Sequence, residues 1–406
     1  MTSTFAWLDH SEEQRRQILD VLDLFREKGT VDELGLGTIR DAFVNMLFPG
    51  TSTIQTRARY FLFVPWIYLR LERQRVPSAE IARRARRQEI DLIERLLASG
   101  ESDGVIGRLA RATLQRLPSN IYWSGLRHLG ICQFAGSQDT YHQSLDRFYR
   151  ISKNAVRNDD GDIVARFATN WHASIPEAPE NFPEEPKLAL TKDEAVYLRE
   201  RIVHRAPGTL FDHLVTRTKA REGESVNFPW IHPRFSEFSD RIQNQLNHAR
   251  NFSEIMYGAI LLYNLRLAEL TKSAAREEEY RSDLEGWTGE IAQRISDFET
   301  WNRTAFWNTV TSEGARISPL TRAFVERWWD LVLANRTGAG VTDDKIARNL
   351  IAVRERQLKG PLARVDNARA RELWGGASGT IRLAYGWSNA ERIARDILEA
   401  SEASHA

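Results

Sequence analysis

Arginines are the residues best placed to do chemistry in this sequence, and many of them crowd into two stretches. The first stretch runs from Arg57 to Arg87 and holds nine arginines against only two glutamates. Planar guanidinium groups suit phosphate and carboxylate partners. We therefore predict nucleic-acid contacts at five residues of this stretch: Arg57, Arg59, Arg83, Arg84 and Arg87. Arg83 and Arg87, four residues apart, would share one helix face. The alternative is a solvated face whose charges pair with acids of another helix.

A second basic stretch runs from Lys345 to Arg371 and holds eight basic residues against two acidic ones. It adds three predicted nucleic-acid contacts: Arg364, Arg369 and Arg371. A glycine-rich loop follows, with four candidate anion-binding or ligand-binding residues: Gly375, Gly376, Ser378 and Gly379. Such a backbone turns tightly and directs several N–H groups outward, as an anion-binding nest requires. The alternative is a tight connection between two packed helices.

Signatures of familiar enzyme classes are missing from the sequence. It contains no GxxxxGK[ST] phosphate loop, no HExxH zinc motif and no GxSxG nucleophile elbow. The nine histidines are scattered, and the single cysteine, Cys132, allows neither an intramolecular disulfide nor a thiolate metal cluster. We therefore predict no catalytic residues, no metal and no cofactor. An enzyme with an unrecognised active site stays open, because catalytic groups can converge from distant positions.

Helix signals dominate the chain and predict a mainly α fold in two parts, with few or no strands. Ser11–Gln14 and Thr191–Glu194 have the pattern of capping boxes, and Pro65 predicts a kink or a break within residues 56–71. Residues 141–174 are less periodic and are compatible with a few strands or a small helical hairpin. The predicted helices are 38–47, 78–97, 105–117, 120–129, 191–203, 235–272, 277–311, 319–334, 343–358 and 389–400.

A segment rich in proline and glutamate lies between His172 and Lys187. Segments of this composition stay extended and solvated. We therefore predict an N-terminal helical domain at 1–174, an acidic proline-rich linker at 175–188 and a C-terminal helical domain at 189–406. The longest apolar run, Tyr60 to Leu69, is too short for a hydrocarbon layer about 30 Å thick, and the polar N-terminus is unlike a signal peptide. The predicted location is the cytoplasm.

Several strings of the sequence resemble a bacterial family known as domain of unknown function 6361. They are residues 56–66, 121–126, 358–361 and 374–379, and the resemblance extends over most of the chain. The family offers no activity and no catalytic residues to transfer. Its genes are of the kind found in variable islands beside helicase and phospholipase-D-like nuclease genes. The resemblance thus implies an association with phage defence or DNA processing, although this chain lacks the HxK pattern of such a nuclease.

Three functions are compatible with these features. The first is a non-enzymatic accessory subunit that binds DNA or a DNA-processing partner, such as a helicase or a nuclease. The second is a helical protein–protein adaptor without nucleic-acid contact, and the third is the unrecognised enzyme. The first interpretation expects the two basic stretches to form one positive surface that faces water.

Overall fold

A computed structural model describes residues 32–153, 169–217, 225–335 and 340–402 of the chain. These residues form fifteen α-helices, which confirms the predicted mainly α fold. Within them no sheet is present, and the only strand-like pairing is an isolated bridge between Cys132 and Trp171. The predicted capping box at Ser11–Gln14 lies outside the described residues. Of the described helices, none combines the length and the apolar character needed to span a membrane.

The helices are numbered in chain order. They are α1 (Gly37–Leu47), α2 (Tyr60–Arg73), α3 (Ser78–Ala98), α4 (Pro118–His128), α5 (Gln138–Lys153), α6 (Lys192–Arg205), α7 (Leu210–Arg217), α8 (Asp240–Leu270), α9 (Ala274–Gln293), α10 (Ile295–Thr300), α11 (Arg303–Thr311), α12 (Pro319–Ala334), α13 (Lys345–Lys359), α14 (Ala368–Glu372) and α15 (Trp387–Glu402). Short 3₁₀ turns occur at Arg111–Thr113, Pro229–Ile231, Phe235–Glu237 and Gly360–Leu362.

The chain divides into two compact units, and neither is continuous in sequence. Unit 1 comprises Met1–Ala42 and Asn247–Leu383, and unit 2 comprises Phe43–Leu246 and Ala384–Ala406. The predicted domain boundaries at 174 and 188 both fall inside unit 2. The C-terminal helix α15 also belongs to unit 2, where it packs against α6 and α7.

The predicted linker at 175–188 packs against the helices of unit 2. Phe182 stacks on Phe63 with ring centroids 5.7 Å apart, and the Trp66 indole donates a hydrogen bond to the Pro176 carbonyl at 2.7 Å. Leu188 is fully buried. Prolines lack N–H groups, but their carbonyls still accept hydrogen bonds, and one aromatic ring gives the segment an apolar anchor. Composition alone therefore does not make this segment a free linker.

Helix α2 is the buried centre of unit 2. It packs against α3 and α4, and its residues from Tyr60 to Tyr68 are all buried. Of the kink or break predicted at Pro65, the break is wrong, because α2 continues from Tyr60 to Arg73 with Pro65 inside it. A proline in a helix interior costs about 3 kcal/mol. Burying several large side chains at about 1.5–3 kcal/mol each outweighs that cost.

The predicted helix at 105–117 is also wrong. This segment is a loop that contains only the 3₁₀ turn Arg111–Thr113. Gly104 and Gly107 take φ values of 83° and 78°, and Arg111 takes 45°. These left-handed conformations are incompatible with a continuous right-handed helix.

The capping box that opens α6 is confirmed. The Thr191 side chain accepts a hydrogen bond from the Glu194 backbone N–H at 3.3 Å, and the Glu194 carboxylate accepts one from the Thr191 N–H at 2.9 Å. Both N–H groups would otherwise be left without partners in the first turn of the helix.

Large aromatic side chains form the core of unit 1. Trp301 and Trp329 stack with ring centroids 3.8 Å apart, and Trp287 of α9 lies against Trp328 of α12 at 6.3 Å. Gly258 of α8 faces Trp287 so closely that a Cβ atom would overlap the indole ring.

The predicted single helix at 277–311 is divided into α9, α10 and α11.

Candidate functional site

Helix α3 of unit 2 presents three arginines to water, which we call the α3 basic face: Arg83, Arg84 and Arg87. The Arg83 side chain is 71% exposed and the Arg84 side chain 46%. Glu80 is their acidic neighbour, at 3.7 Å from Arg83 and 2.8 Å from Arg84. Arg87 is exposed and forms no ion pair with a described residue. The face therefore keeps a net positive charge, and ion pairs this exposed contribute little to stability.

A loop beside α3 carries three more exposed arginines. Arg86 fixes it there, because its guanidinium donates hydrogen bonds to the carbonyls of Leu114 at 2.8 Å and Ala112 at 3.0 Å. Arg111 pairs with Glu94 at 2.6 Å, whereas Arg108 and Arg116 form no ion pair with a described residue. Sequence reasoning missed them because it predicted a helix at 105–117.

Arg57 and Arg59, also predicted to bind nucleic acid, form ion pairs inside unit 2. Arg57 pairs with Asp396 at 2.9 Å, with 17% of its side chain exposed. Arg59 pairs with Glu194 at 2.7 Å, and their side chains are only 6% and 3% exposed. Arg59 directly precedes the buried helix α2 and is therefore buried as well. Both guanidinium groups are held by internal carboxylates, away from the α3 basic face.

The three predicted contacts of the second basic stretch lie in unit 1 and differ in their surroundings. Arg364 is half-buried and binds Glu33 at 2.6 Å. Arg371 donates to the carbonyls of Arg364 and Val365 at 2.7 and 2.9 Å, which closes the turn that precedes α14. Only Arg369 is exposed without an ion pair to a described residue. The two basic stretches therefore belong to different units, and most of the second is tied into the fold of unit 1.

Arg364 belongs to a cluster of charged side chains in unit 1, which we call the charged cluster. Glu355 is fully buried and accepts hydrogen bonds from the Tyr263 hydroxyl at 2.6 Å and from Lys359 at 3.0 Å. Glu33 is buried between Lys359 and Arg364. Two carboxylates thus meet two cations, and the charges balance. A buried set of this kind is stable only when all its members are paired.

The charged cluster shifts the proton affinity of its members. Burial opposes the ionisation of Glu355, but hydrogen bonds from Tyr263 and the Val365 N–H and the charge of Lys359 hold its pKa below the ordinary value. Burial, together with the charges of Glu33 and Glu355, raises the pKa of Tyr263. The tyrosine therefore remains a neutral hydrogen-bond donor at all physiological pH values.

The predicted anion-binding loop adjoins the charged cluster. The Ser378 N–H donates to the Asn264 side-chain oxygen at 2.9 Å, and Arg364 donates to the Ser378 hydroxyl at 3.1 Å. The Gly376 carbonyl accepts a hydrogen bond from Tyr280 at 2.7 Å. Gly375 is exposed, and Gly379 lines a cleft of about 50 Å³ next to the cluster. The structure brings Arg364 and Ser378 together, but a cleft of this size holds only one or two waters.

Among the residues that the structure describes, no group of three or more His, Cys, Asp or Glu side chains could hold a metal ion. Burial raises the pKa of Cys132 to about 11, so this thiol is a poor nucleophile at neutral pH.

Comparisons with known proteins give one match. No curated protein and no solved structure is significantly similar to the chain. A family model described as "Family of unknown function (DUF6361)" matches residues 2–401, which is nearly the whole chain.

Proposed function

Because the chain belongs to DUF6361, a family of unknown function, we propose a function from its surface chemistry. We propose that it is a non-enzymatic accessory subunit that binds DNA through the α3 basic face. The observation that carries this proposal is the exposure of Arg83, Arg84 and Arg87 on one helix, with Glu80 as their acidic neighbour. Exposed guanidinium groups bind phosphates by displacing condensed counterions, and this needs no catalytic residue.

We infer that the protein acts in DNA processing in the bacterial cytoplasm. Its partner is a helicase or a nuclease, and its biological role is phage defence. The exposed side chains of Arg108 and Arg116 support DNA binding, because they extend the positive charge from α3 onto the neighbouring loop. Such contacts are made to the phosphate backbone and carry no sequence preference of their own.

The test is the salt dependence of duplex binding, measured by fluorescence anisotropy or gel shift. We expect the wild-type affinity to fall steeply as salt rises. The charge reversal Arg83→Glu, Arg84→Glu and Arg87→Glu removes three phosphate contacts, so the slope of log affinity against log salt should become smaller by about 3.

A matched control makes the same change of charge in unit 1. The exposed residues Arg316, Arg327 and Lys345 form no ion pair with a described residue, and each is changed to Glu. We expect this control to bind nearly as tightly as the wild type at moderate salt. If both triple variants behave alike, or if the wild type binds no duplex at low salt, the α3 basic face is not a DNA-binding surface.

A further inference from the structure

Unit 2 contains a cleft of about 500 Å³ with aromatic walls. Trp66 and Trp171 line it as buried side chains, and Phe148 and Phe182 line it as partly exposed ones. Clefts that bind small molecules measure about 300–1,000 Å³ and combine apolar walls with a few fixed polar groups. The size and the walls of this cleft therefore suit a flat organic ligand.

A fixed carboxylate supplies the polar group. Glu72 lines the cleft, and its Oε1 atom accepts hydrogen bonds from the Trp171 indole at 3.0 Å, from the Asn170 amide at 3.1 Å and from the Tyr141 hydroxyl. Its Oε2 atom accepts none from a described residue. Three donors on one oxygen hold the carboxylate in a single orientation; burial raises the pKa of Glu72, and these hydrogen bonds oppose that rise. The other oxygen is left as an acceptor for an N–H group.

The charges around the cleft restrict what it can hold. Arg70 and Arg73 line it, and so do Glu72 and Glu177. Arg73 is exposed and forms no ion pair with a described residue. The arginines would repel a purely cationic ligand, and the glutamates would repel a purely anionic one. A ligand with an aromatic ring, an N–H donor and a separate anionic group satisfies all of these side chains.

We propose that this cleft binds a nucleotide whose base carries an exocyclic amine. The base lies among the aromatic side chains and donates an N–H to Glu72 Oε2, while the phosphate binds Arg73. Bases stack on aromatic rings in proteins that bind single-stranded nucleic acids, and every base has a face that can stack in this way. The nucleotide is either free or an unstacked member of a single strand. This site goes beyond the proposed function, because no arginine of the α3 basic face lines the cleft.

The first experiment follows tryptophan fluorescence of the full chain, since Trp66 and Trp171 line the cleft. The probes are AMP and GMP, which carry the amine, and purine riboside 5′-monophosphate, which has no N–H on its base. We expect saturable quenching by AMP or GMP, and affinity for the third probe about tenfold lower, because hydrogen bonds to charged groups are strong. Absence of quenching by both AMP and GMP up to millimolar concentrations, or equal affinity for all three, overturns the proposal.

Variants then test the named contacts. Glu72→Gln should lower the affinity for AMP or GMP about tenfold, and Arg73→Ala about fivefold. Arg316→Ala, at an exposed residue of unit 1 that does not line the cleft, is the control and should leave this affinity unchanged. Should Glu72→Gln fail to fold by circular dichroism, Phe148→Ala replaces it, because that side chain is partly exposed. If neither Arg73→Ala nor the second variant weakens binding, the nucleotide is not bound in this cleft.

A short single-stranded oligonucleotide, added as a competitor, identifies the source of the base. If the oligonucleotide competes with AMP or GMP, and competes more weakly in Arg73→Ala, the cleft is assigned to a base within a strand. If it does not compete with the wild type, the cleft is assigned to a free nucleotide. Both results support the site. Loss of duplex binding in the Arg83, Arg84 and Arg87 variant is a separate readout, so failure of the proposed function and failure of this inference remain distinguishable.

Discussion

The ion pair between Arg59 and Glu194 shows that burial decides whether an arginine stabilises the fold or is available to a ligand. Its two side chains are 6% and 3% exposed, whereas the Arg83 side chain, in the same basic stretch, is 71% exposed. A guanidinium held by a carboxylate inside the protein fixes the local fold, because separation would leave an unpaired buried charge. The same group in water is free to bind a phosphate.

Arg59→Met removes one partner of this pair and leaves the Glu194 carboxylate buried without it. We expect the free energy of unfolding to fall by about 3–5 kcal/mol, measured by urea denaturation. The double variant Arg59→Met, Glu194→Gln should recover part of the loss, because it removes the unpaired charge. A loss below about 1 kcal/mol in the single variant would contradict a structural role for Arg59.

A single residue of α3, Glu89, makes the stability of the protein depend on pH. It is fully buried and accepts hydrogen bonds from the Ser119 N–H and hydroxyl, both at 2.7 Å. Burial raises its pKa from 4.5 to about 7. Folding therefore favours the protonated form, and the stabilisation is fully present below about pH 4.5 and is lost as pH rises to about 7.

Glu89→Gln abolishes this titration. Between about pH 5 and pH 8 we expect the wild type to lose about 3 kcal/mol of stability through Glu89, and the variant to lose none of it. Urea denaturation at both pH values measures the difference. Glu94→Gln, on the same helix but paired with Arg111 at the surface, is the control. The same pH dependence in both variants would show that Glu89 does not titrate in this range.

At the scale of elements, Gly258 sets how closely α8 and α9 approach in unit 1. Any side chain at this position would overlap the indole of Trp287. We expect Gly258→Ala to destabilise the protein by about 1–3 kcal/mol, because an overpacked helix contact must shift. Gly286→Ala in α9 is a matched control, since a Cβ there meets no atom within 4 Å. It should be neutral or stabilising by up to about 1 kcal/mol. Equal thermal shifts in both variants would argue against the close contact.

Local signals predicted most helices well and failed at identifiable points. The capping box at Thr191 and the predicted start of a helix at residue 319 are confirmed by the first turns of α6 and α12. Both depend on contacts within one turn, which the sequence contains. A break at Pro65 and a helix at 105–117 are not observed, because burial of α2 and the left-handed φ values at Gly104 and Gly107 depend on distant packing. Short-range patterns do not record such packing.

The candidate sites were predictable only in part, for a related reason. Exposure of Arg83, Arg84 and Arg87 follows from helix periodicity, and the sequence identified all three. Burial of Arg57 and Arg59 follows from partners 339 and 135 residues away in sequence. Glu72 was counted only as a neutralising charge, because its three donors come from residues about 70–99 positions away. Local residue spacing does not predict a site whose residues lie so far apart in sequence.

At the scale of the whole molecule, both units are assembled from separate stretches of chain. Helix α15 lies beyond the last residue of unit 1, yet it supplies buried Trp387, Ile393 and Ile397 to unit 2. Asp396 on the same helix binds Arg57 and the backbone N–H of Ala58 at 2.8 Å, directly before α2. The predicted division at 175–188 missed this arrangement, because contacts far apart in sequence define it.

A chain ending at Leu383 tests the arrangement, since it keeps all of unit 1 and removes α15. We expect unit 2 to lose its cooperative unfolding transition, because the apolar faces of α6 and α7 lose their cover. Circular dichroism during urea denaturation and proteolysis with mass spectrometry measure this loss. A chain ending at Glu402, which retains α15, is the control and should unfold as the full chain does. Protection of α2 and α4 in the shorter chain would contradict the need for α15.

The late position of α15 also governs the order of events during synthesis. After residues 1–42, the ribosome makes residues 43–246 of unit 2, then residues 247–383 of unit 1, and only then residues 384–402. Unit 2 must therefore wait for its last helix while more than a hundred intervening residues are translated. A chain terminated before residue 384 would contain the arginines of α3 in a unit 2 that lacks α15. Unit 2 can therefore be completed only after residues 384–402 have been synthesised.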